Sequence, residues 1–218
     1  MQAYKTQFLE LALELGVLQF GEFKLKSGRT SPYFFNAGLF NTGYAAAKLG
    51  RCYASAVASL DLEFDMLFGP AYKGIPLVAL TAGALAEHYD RDYPFAFNRK
   101  EAKDHGEGGL TIGAPVAGRV LILDDVITAG TAVREVLDVI KAAGGTPAGV
   151  LVALDREEIG TKARISAVQQ LSTELAVPIK SIVTLTDLVE HLEERSEYGD
   201  KIAAMRSYRN RYGVPYDA

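Results

Sequence analysis

Residues 120–132 constrain this chain more than any other segment. Four apolar residues, Val120, Leu121, Ile122 and Leu123, run without a break into two adjacent carboxylates, Asp124 and Asp125. Val126, Ile127, Thr128, Ala129, Gly130, Thr131 and Ala132 follow, and from Thr131 the apolar spacing turns helical. A short uninterrupted apolar run fits a strand buried on both faces, as in a parallel sheet covered by helices. The turn after such a strand, together with the first helical amides, forms a nest of N–H groups that suits a phosphate monoester. The hydroxyls of Thr128 and Thr131 add donors to it. Asp124 and Asp125 repel a bare phosphate, so they need another partner. Vicinal ribose hydroxyls near a metal ion suit them, because ionised carboxylates accept hydrogen bonds and are ligands for hard cations. The bland alternative is a capped helix start with two solvated carboxylates. It explains one Asp or one Thr, but not a carboxylate pair at the end of a buried strand joined to a phosphate nest.

The rest of the chain alternates in the same way. Tyr4, Phe8, Leu11 and Leu15 recur at helical spacing over residues 2–15, and Gly16 supplies a stop. Phe20, Phe23 and Leu25, then Tyr33, Phe34 and Phe35, read as two short strands around a turn-rich loop at residues 27–32. An Ala-rich helix is expected over residues 43–60. Strands are expected at 66–68, 95–97, 120–123 and 150–154, with a short fifth at Ile182 and Val183. Helices are expected at 75–89, 131–143 and onward from Asp187. Apolar strands alternating with helices make an α/β fold, which binds ligands at the carboxyl ends of its strands. The working residues should then follow Phe68, Phe97, Leu123 and Leu154.

A chain of 218 residues suffices for one core and a small appended subdomain. Its net charge of −4, with no basic tail, disfavours nucleic acid as a partner. A local cluster of Lys and Arg can still hold an anion on an acidic protein. Cys52, the sole cysteine, lies in the Ala-rich helix and reads as a small buried apolar residue. No apolar run approaches the ~20 residues needed to cross a bilayer. The first residues lack a basic segment followed by an apolar one, so a cytoplasmic protein without a membrane partner is expected. Residues 69–74 carry the glycine spacing of a P-loop, but Ile75 stands where that motif requires Lys.

Residues 120–132 closely resemble the signature with which type I phosphoribosyltransferases bind phosphoribosyl diphosphate (PRPP). Other segments, in the expected order, resemble the orotate-specific branch of that family. Residues 26–35 look like its N-terminal hood, 69–74 like its pyrophosphate loop, 99–108 like its mobile catalytic loop, and Asp155-Arg156 like the pair after its fourth strand. The resemblance implies the type I phosphoribosyltransferase fold, a central, mostly parallel sheet flanked by helices. It implies a single domain over 1–218 with a small hood contributed mainly by about residues 16–40. It implies transfer of the phosphoribosyl group of PRPP to orotate, giving orotidine 5′-monophosphate and pyrophosphate, a step of pyrimidine biosynthesis. PRPP would then meet Lys26, Tyr72, Lys73, Arg99, Lys100, Lys103, His105 and residues 124–132. Orotate would meet Phe34, Phe35, Thr128 and Arg156, and Lys103 and Asp125 would be catalytic. Mg²⁺ would be held mainly through PRPP, with Asp124 and Asp125 nearby. The resemblance further implies a cis peptide at Ala71-Tyr72, and a homodimer in which the 99–108 loop completes the neighbour's site.

The chemistry of the residues agrees with this implication. Orotate is a planar acid, and a guanidinium such as that of Arg156 takes a carboxylate in bidentate fashion, which Lys does less well. Adjacent Phe34 and Phe35 serve equally as core or as an apolar wall for a ring. Arg99, Lys100, Lys103 and His105 fall within seven residues. Such runs are usually solvated loops of mixed charge, but glycines at 106, 108 and 109 give this one the character of a lid. Two rivals stand beside this reading. A transferase for a purine or for uracil is disfavoured by the hood segment and Arg156. A PRPP-sensing regulator is disfavoured by the acidic chain and by the retained loop cations.

Overall fold

Strands that are apolar throughout need cover on both faces, and the computed structural model supplies it. It describes residues 1–25, 27–103, 109–127, 130–160 and 165–214. In chain order the elements are α1 (Ala3–Glu14), β1 (Leu18–Lys24), β2 (Thr30–Phe35), a 3-10 turn (Ala37–Leu39), α2 (Gly43–Ala58), β3 (Met66–Gly69), α3 (Gly74–Tyr89), β4 (Phe95–Lys103), β5 (Gly109–Gly113), β6 (Arg119–Asp124) and α4 (Thr131–Ala142). Then come β7 (Thr146–Asp155), α5 (Ala167–Leu175), β8 (Ile179–Thr184), α6 (Leu185–Glu193), a second 3-10 turn (Ser196–Tyr198) and α7 (Gly199–Tyr212).

Six strands form the central sheet in the order β5-β4-β3-β6-β7-β8. β4, β3, β6, β7 and β8 are parallel, and β5 runs antiparallel to β4 at one edge. Successive side chains of a strand point to opposite faces, and the core divides accordingly. Leu67, Leu121, Leu123, Leu151 and Ala153 pack with α1, α2, α3 and α6 on one face. Met66, Phe68, Val120, Ile122, Val150 and Val152 pack with Val133, Val136, Leu137 and Ile140 of α4 and Leu171 of α5 on the other. Cys52 is buried among the α2 residues of the first face, and burial pushes its thiol up to about 11.

A separate two-stranded antiparallel ribbon, β1–β2, precedes α2. Its register shifts between Phe20 and Phe23, and Pro32 lies opposite that irregularity. A residue with no N–H costs nothing where the ladder is already interrupted. Phe35 secures the ribbon to the body: it is buried, with ring centroids 6.2 Å from Phe8 and 6.4 Å from Phe40.

The expected strands and helices are present, with four differences. β2 begins at Thr30, inside the stretch read as loop. β4 does not end at Phe97 but runs on to Lys103 and pairs with β5, so its cationic segment is the arm of a hairpin. α6 begins at Leu185 rather than Asp187, because Thr184 caps it and Asp187 returns the bond to the Thr184 N–H, a reciprocal capping box. α5 and α7 are additional elements: Val168, Leu171 and Leu175 of α5 recur at helical spacing after a Ser166 cap, whereas α7 carries little apolar periodicity. Only Leu171 is buried on α5, and only Met205 and Tyr208 on α7.

Candidate active site

The carboxyl ends of β3, β6 and β7 lie side by side, and each carries charged residues. At the end of β6 the backbone is held from two directions. Tyr53 of α2 donates its hydroxyl to the Asp124 carbonyl at 2.7 Å, and the Ala153 N–H donates to the Asp125 carbonyl at 2.9 Å. The Asp125 N–H also donates to Asp124 Oδ1 at 2.9 Å. Burial, and then the neighbouring charge of Asp125, push the Asp124 carboxyl up to about 7. Asp125 is buried and receives Lys73 Nζ at 2.6 Å on Oδ2.

Lys73 comes from the turn after β3. Gly69 and Gly74 close that turn: a Cβ on Gly74 would stand 2.5 Å from the Pro70 ring. The Ala71 N–H donates to Asn98 Oδ1 at 2.9 Å, which ties the turn to β4. The Ala71-Tyr72 peptide is cis, as the family resemblance implies. Tyr72 is 68% exposed, and Lys100 Nζ lies 5.0 Å above its ring. Tyr72, Lys73, Lys100, Asp124 and Asp125 therefore gather along three adjacent strands. Arg99, on the same arm as Lys100, is half-buried. A cavity of 240 Å³ opens beside them, lined by Phe40 and the Ala37 turn, by Tyr53, Leu77 and Ala153, and by Lys73 and Asp125.

After Asp125 the chain passes Val126 and Ile127, which pack against opposite cores, and reaches Gly130. Gly130 is left-handed at φ 73°, and among the described residues no side chain caps α4 there. A Cβ on Gly130 would also stand 2.8 Å from Leu171 Cδ1. Thr131 and Ala132 are exposed in the first turn of α4. A helix start without a side-chain cap has orphan N–H groups available to an anion. Lys26, His105, Thr128 and Ala129 lie outside the described residues. Lys103 closes β4, but its side chain also lies outside them.

The third group sits where the ribbon meets the end of β7. Arg156 Nε donates to Glu158 Oε1 at 2.7 Å, and Arg156 Nη2 donates to Ser31 Oγ at 3.0 Å. The guanidinium lies 4.3 Å from the ring centre of Tyr33. Ser31 and Tyr33 fall in the hood segment 26–35 but are not singled out by sequence, and nothing local marks Glu158; Arg156 meets Ser31 across 125 residues of chain. Phe34 is 38% exposed and stacks on Phe23 at 5.5 Å. Phe35 departs from its expected role: its ring belongs to the core with Phe8 and Phe40, so only its backbone can face a ligand.

Among the described residues no group of three or more His, Cys, Asp or Glu could hold a metal ion. Asp124 and Asp125 are a pair, and Lys73 engages one of them. That donor set fits a hard cation taking most of its oxygens from a diphosphate rather than from protein. No described helix is long and apolar enough to cross a membrane.

Comparison with known proteins gives the same answer as the geometry. The phosphoribosyl transferase domain family matches residues 39–191. An orotate phosphoribosyltransferase of Serratia proteamaculans is 60% identical over 214 residues, 98% of this chain and 100% of that protein. One from Pseudomonas aeruginosa is 59% identical over the same shares of both chains. The crystal structure of orotate phosphoribosyltransferase from Francisella tularensis superposes with a TM-score of 0.84 at 43% identity, covering 94% of this chain and 98% of that one. With the acid pair, the lysine turn and the Arg156 junction in place on this fold, the chain belongs to the orotate phosphoribosyltransferase family.

Proposed function

We propose that this chain transfers the phosphoribosyl group of PRPP to orotate, forming orotidine 5′-monophosphate and pyrophosphate in pyrimidine biosynthesis. The observation that carries the assignment is the convergence at one sheet edge of the Asp124-Asp125 pair, the Lys73 turn and Arg156, on a chain 60% identical to a named orotate phosphoribosyltransferase.

In this reading the 5-phosphate of PRPP rests on the turn 126–130 and the first amides of α4, with Thr128 and Thr131 adding hydroxyls. Asp124 and Asp125 accept from the ribose hydroxyls. Lys73, which donates to Asp125, is one of the cations that meet the diphosphate. Bond formation from orotate nitrogen to ribose C1 accompanies loss of the bond from C1 to the pyrophosphate oxygen. Charge develops on the leaving group, so cations aimed at it favour the transition state over the ground state. Lys26, Lys73, Arg99, Lys100, Lys103 and His105 supply them, with Lys103 the principal catalytic residue. Mg²⁺, held mainly by PRPP with Asp124 and Asp125 nearby, would neutralise diphosphate charge. Asp125 holds the ribose or accepts a proton. Arg156 receives the orotate carboxylate, and the exposed ring of Phe34 and the backbone of Phe35 line the ring site. The reading includes a single domain over 1–218 and a cytoplasmic homodimer with shared active sites, supported by family resemblance.

The direct test is loss of orotate absorbance when PRPP and Mg²⁺ are added to pure protein, run beside adenine, hypoxanthine and uracil. Turnover of orotate alone is expected. Turnover of another base in its place, or PRPP binding without turnover, would return the chain to one of the two rival readings.

A further inference from the structure

Arg156 is not a loose side chain. Among the described residues Nε donates to Glu158 and Nη2 to Ser31, along one edge of the guanidinium, and the Tyr208 hydroxyl meets the same side chain. Ser31 spends its own hydroxyl hydrogen on the Tyr33 carbonyl at 2.7 Å, so toward Arg156 it can only accept. Tyr33 lies beneath the plane, is fully buried, and is fixed edge-on by Tyr208 at 6.5 Å. The plane, the side edge and the rotation of Arg156 are thereby set. The outer edge, made by Nη1 and the second N–H of Nη2, is the one left to meet a planar carboxylate.

Glu158 is the centre of this arrangement. Besides Arg156, its Oε1 accepts the Tyr208 hydroxyl at 2.8 Å, and its Oε2 accepts Arg29 Nη1 at 3.1 Å. Donors from the residue after β7, from α7 and from the loop before β2 thus converge on one largely buried carboxylate. Its charge is shared by two guanidiniums, so the triad Arg29, Arg156 and Glu158 stays net positive. Glu158 can therefore hold Arg156 without cancelling its attraction for an anion.

We infer that Glu158 is a positioning residue for the acidic substrate: it sets the angle at which Arg156 presents its outer edge to the orotate carboxylate. This rests on the reading of Arg156 as the carboxylate receptor. The test is a double-mutant cycle of Glu158→Gln and Arg156→Ala, read as kcat/KM for orotate, Kd for PRPP and Tm. Glu158→Gln should lower kcat/KM for orotate about ten- to a hundred-fold, mainly through KM, the size expected for losing a hydrogen bond to a charged group. The Kd for PRPP should stay unchanged, and in the Arg156→Ala background Glu158→Gln should add no further loss. Tyr208→Phe, which removes a hydroxyl shared by Glu158 and Arg156 and no charge, should cost a few-fold in the same parameter and nothing in the Arg156→Ala background. It decides the matter should Glu158→Gln fail to fold. Losses that add, or an equal loss in PRPP affinity, would make Glu158 structural and overturn the inference while leaving Arg156 as receptor. An Arg156→Ala variant with normal kcat/KM for orotate would instead remove the receptor itself, and the inference with it.

Discussion

Arg156 is half-enclosed by its own partners, so its loss removes a prearranged charge rather than a solvated one. Arg156→Ala should cost on the order of 2–4 kcal/mol in kcat/KM for orotate, the range for breaking a desolvated charge pair. PRPP affinity, measured by calorimetry, should hardly move, and equal losses for both substrates would make Arg156 structural. Asp124 gives a second prediction. Burial and Asp125 raise its carboxyl from 3.8 to about 7 in the fold. A raised carboxyl is bound more favourably as the neutral acid. Its contribution to stability is complete below the unfolded value near 4 and is lost as pH rises toward 7. In metal-free buffer without PRPP, Asp124→Asn should flatten the fall in Tm between these limits, by the equivalent of a few kcal/mol. Parallel pH curves for the two proteins would contradict it. Asp124, Asp125 and Lys73 were legible from sequence because each stands at the carboxyl end of an apolar strand or in the turn after it. Glu158 was not, since its partners Arg29 and Tyr208 lie 129 and 50 residues away and Glu157-Glu158 reads locally as solvated charge.

The elements show the same division between local and distant information. β3, β6 and β7 announce themselves by unbroken apolar runs, and α4 by a stripe that buries Val133, Val136, Leu137 and Ile140. The β4–β5 hairpin does not. An edge arm paired on one side needs no apolar signature, so Arg99, Lys100 and Lys103 read as loop. α7 is similarly silent, because Met205 and Tyr208 suffice to dock it. The turn into α4 carries the prediction at this scale. Gly130 combines a left-handed backbone with a Cβ position 2.8 Å from Leu171. Gly130→Ala should cost about 1–3 kcal/mol of stability, from backbone strain and from displacing Leu171. It should also weaken PRPP binding, because the amides of the first α4 turn shift with it. A thermal melt and a PRPP titration check both parts, and an Ala variant with normal Tm and affinity would show that the turn adapts freely.

At the scale of the molecule the hairpin raises the question of which site it serves. After Ala96 no side chain described on β4 or β5 is buried, and Leu110 on β5 is 41% exposed. In the proposed two-fold dimer such an arm would serve either its own site or the neighbour's. Two inactive variants separate the possibilities. Lys103→Ala lesions the arm, and Arg156→Ala lesions the orotate receptor of the sheet. In a hybrid dimer with arms that cross, one site joins an intact Arg156 to an intact Lys103 of the partner, and the other site carries both lesions. With complete subunit exchange half the dimers are hybrids, so about a quarter of the sites regain full activity. With arms that stay at home every site keeps one lesion, and mixing restores nothing. Activity measured against the hybrid fraction, with exchange verified by native mass spectrometry, should rise in proportion. A flat response would confine each arm to its own subunit without disturbing the assignment of the sheet-edge residues.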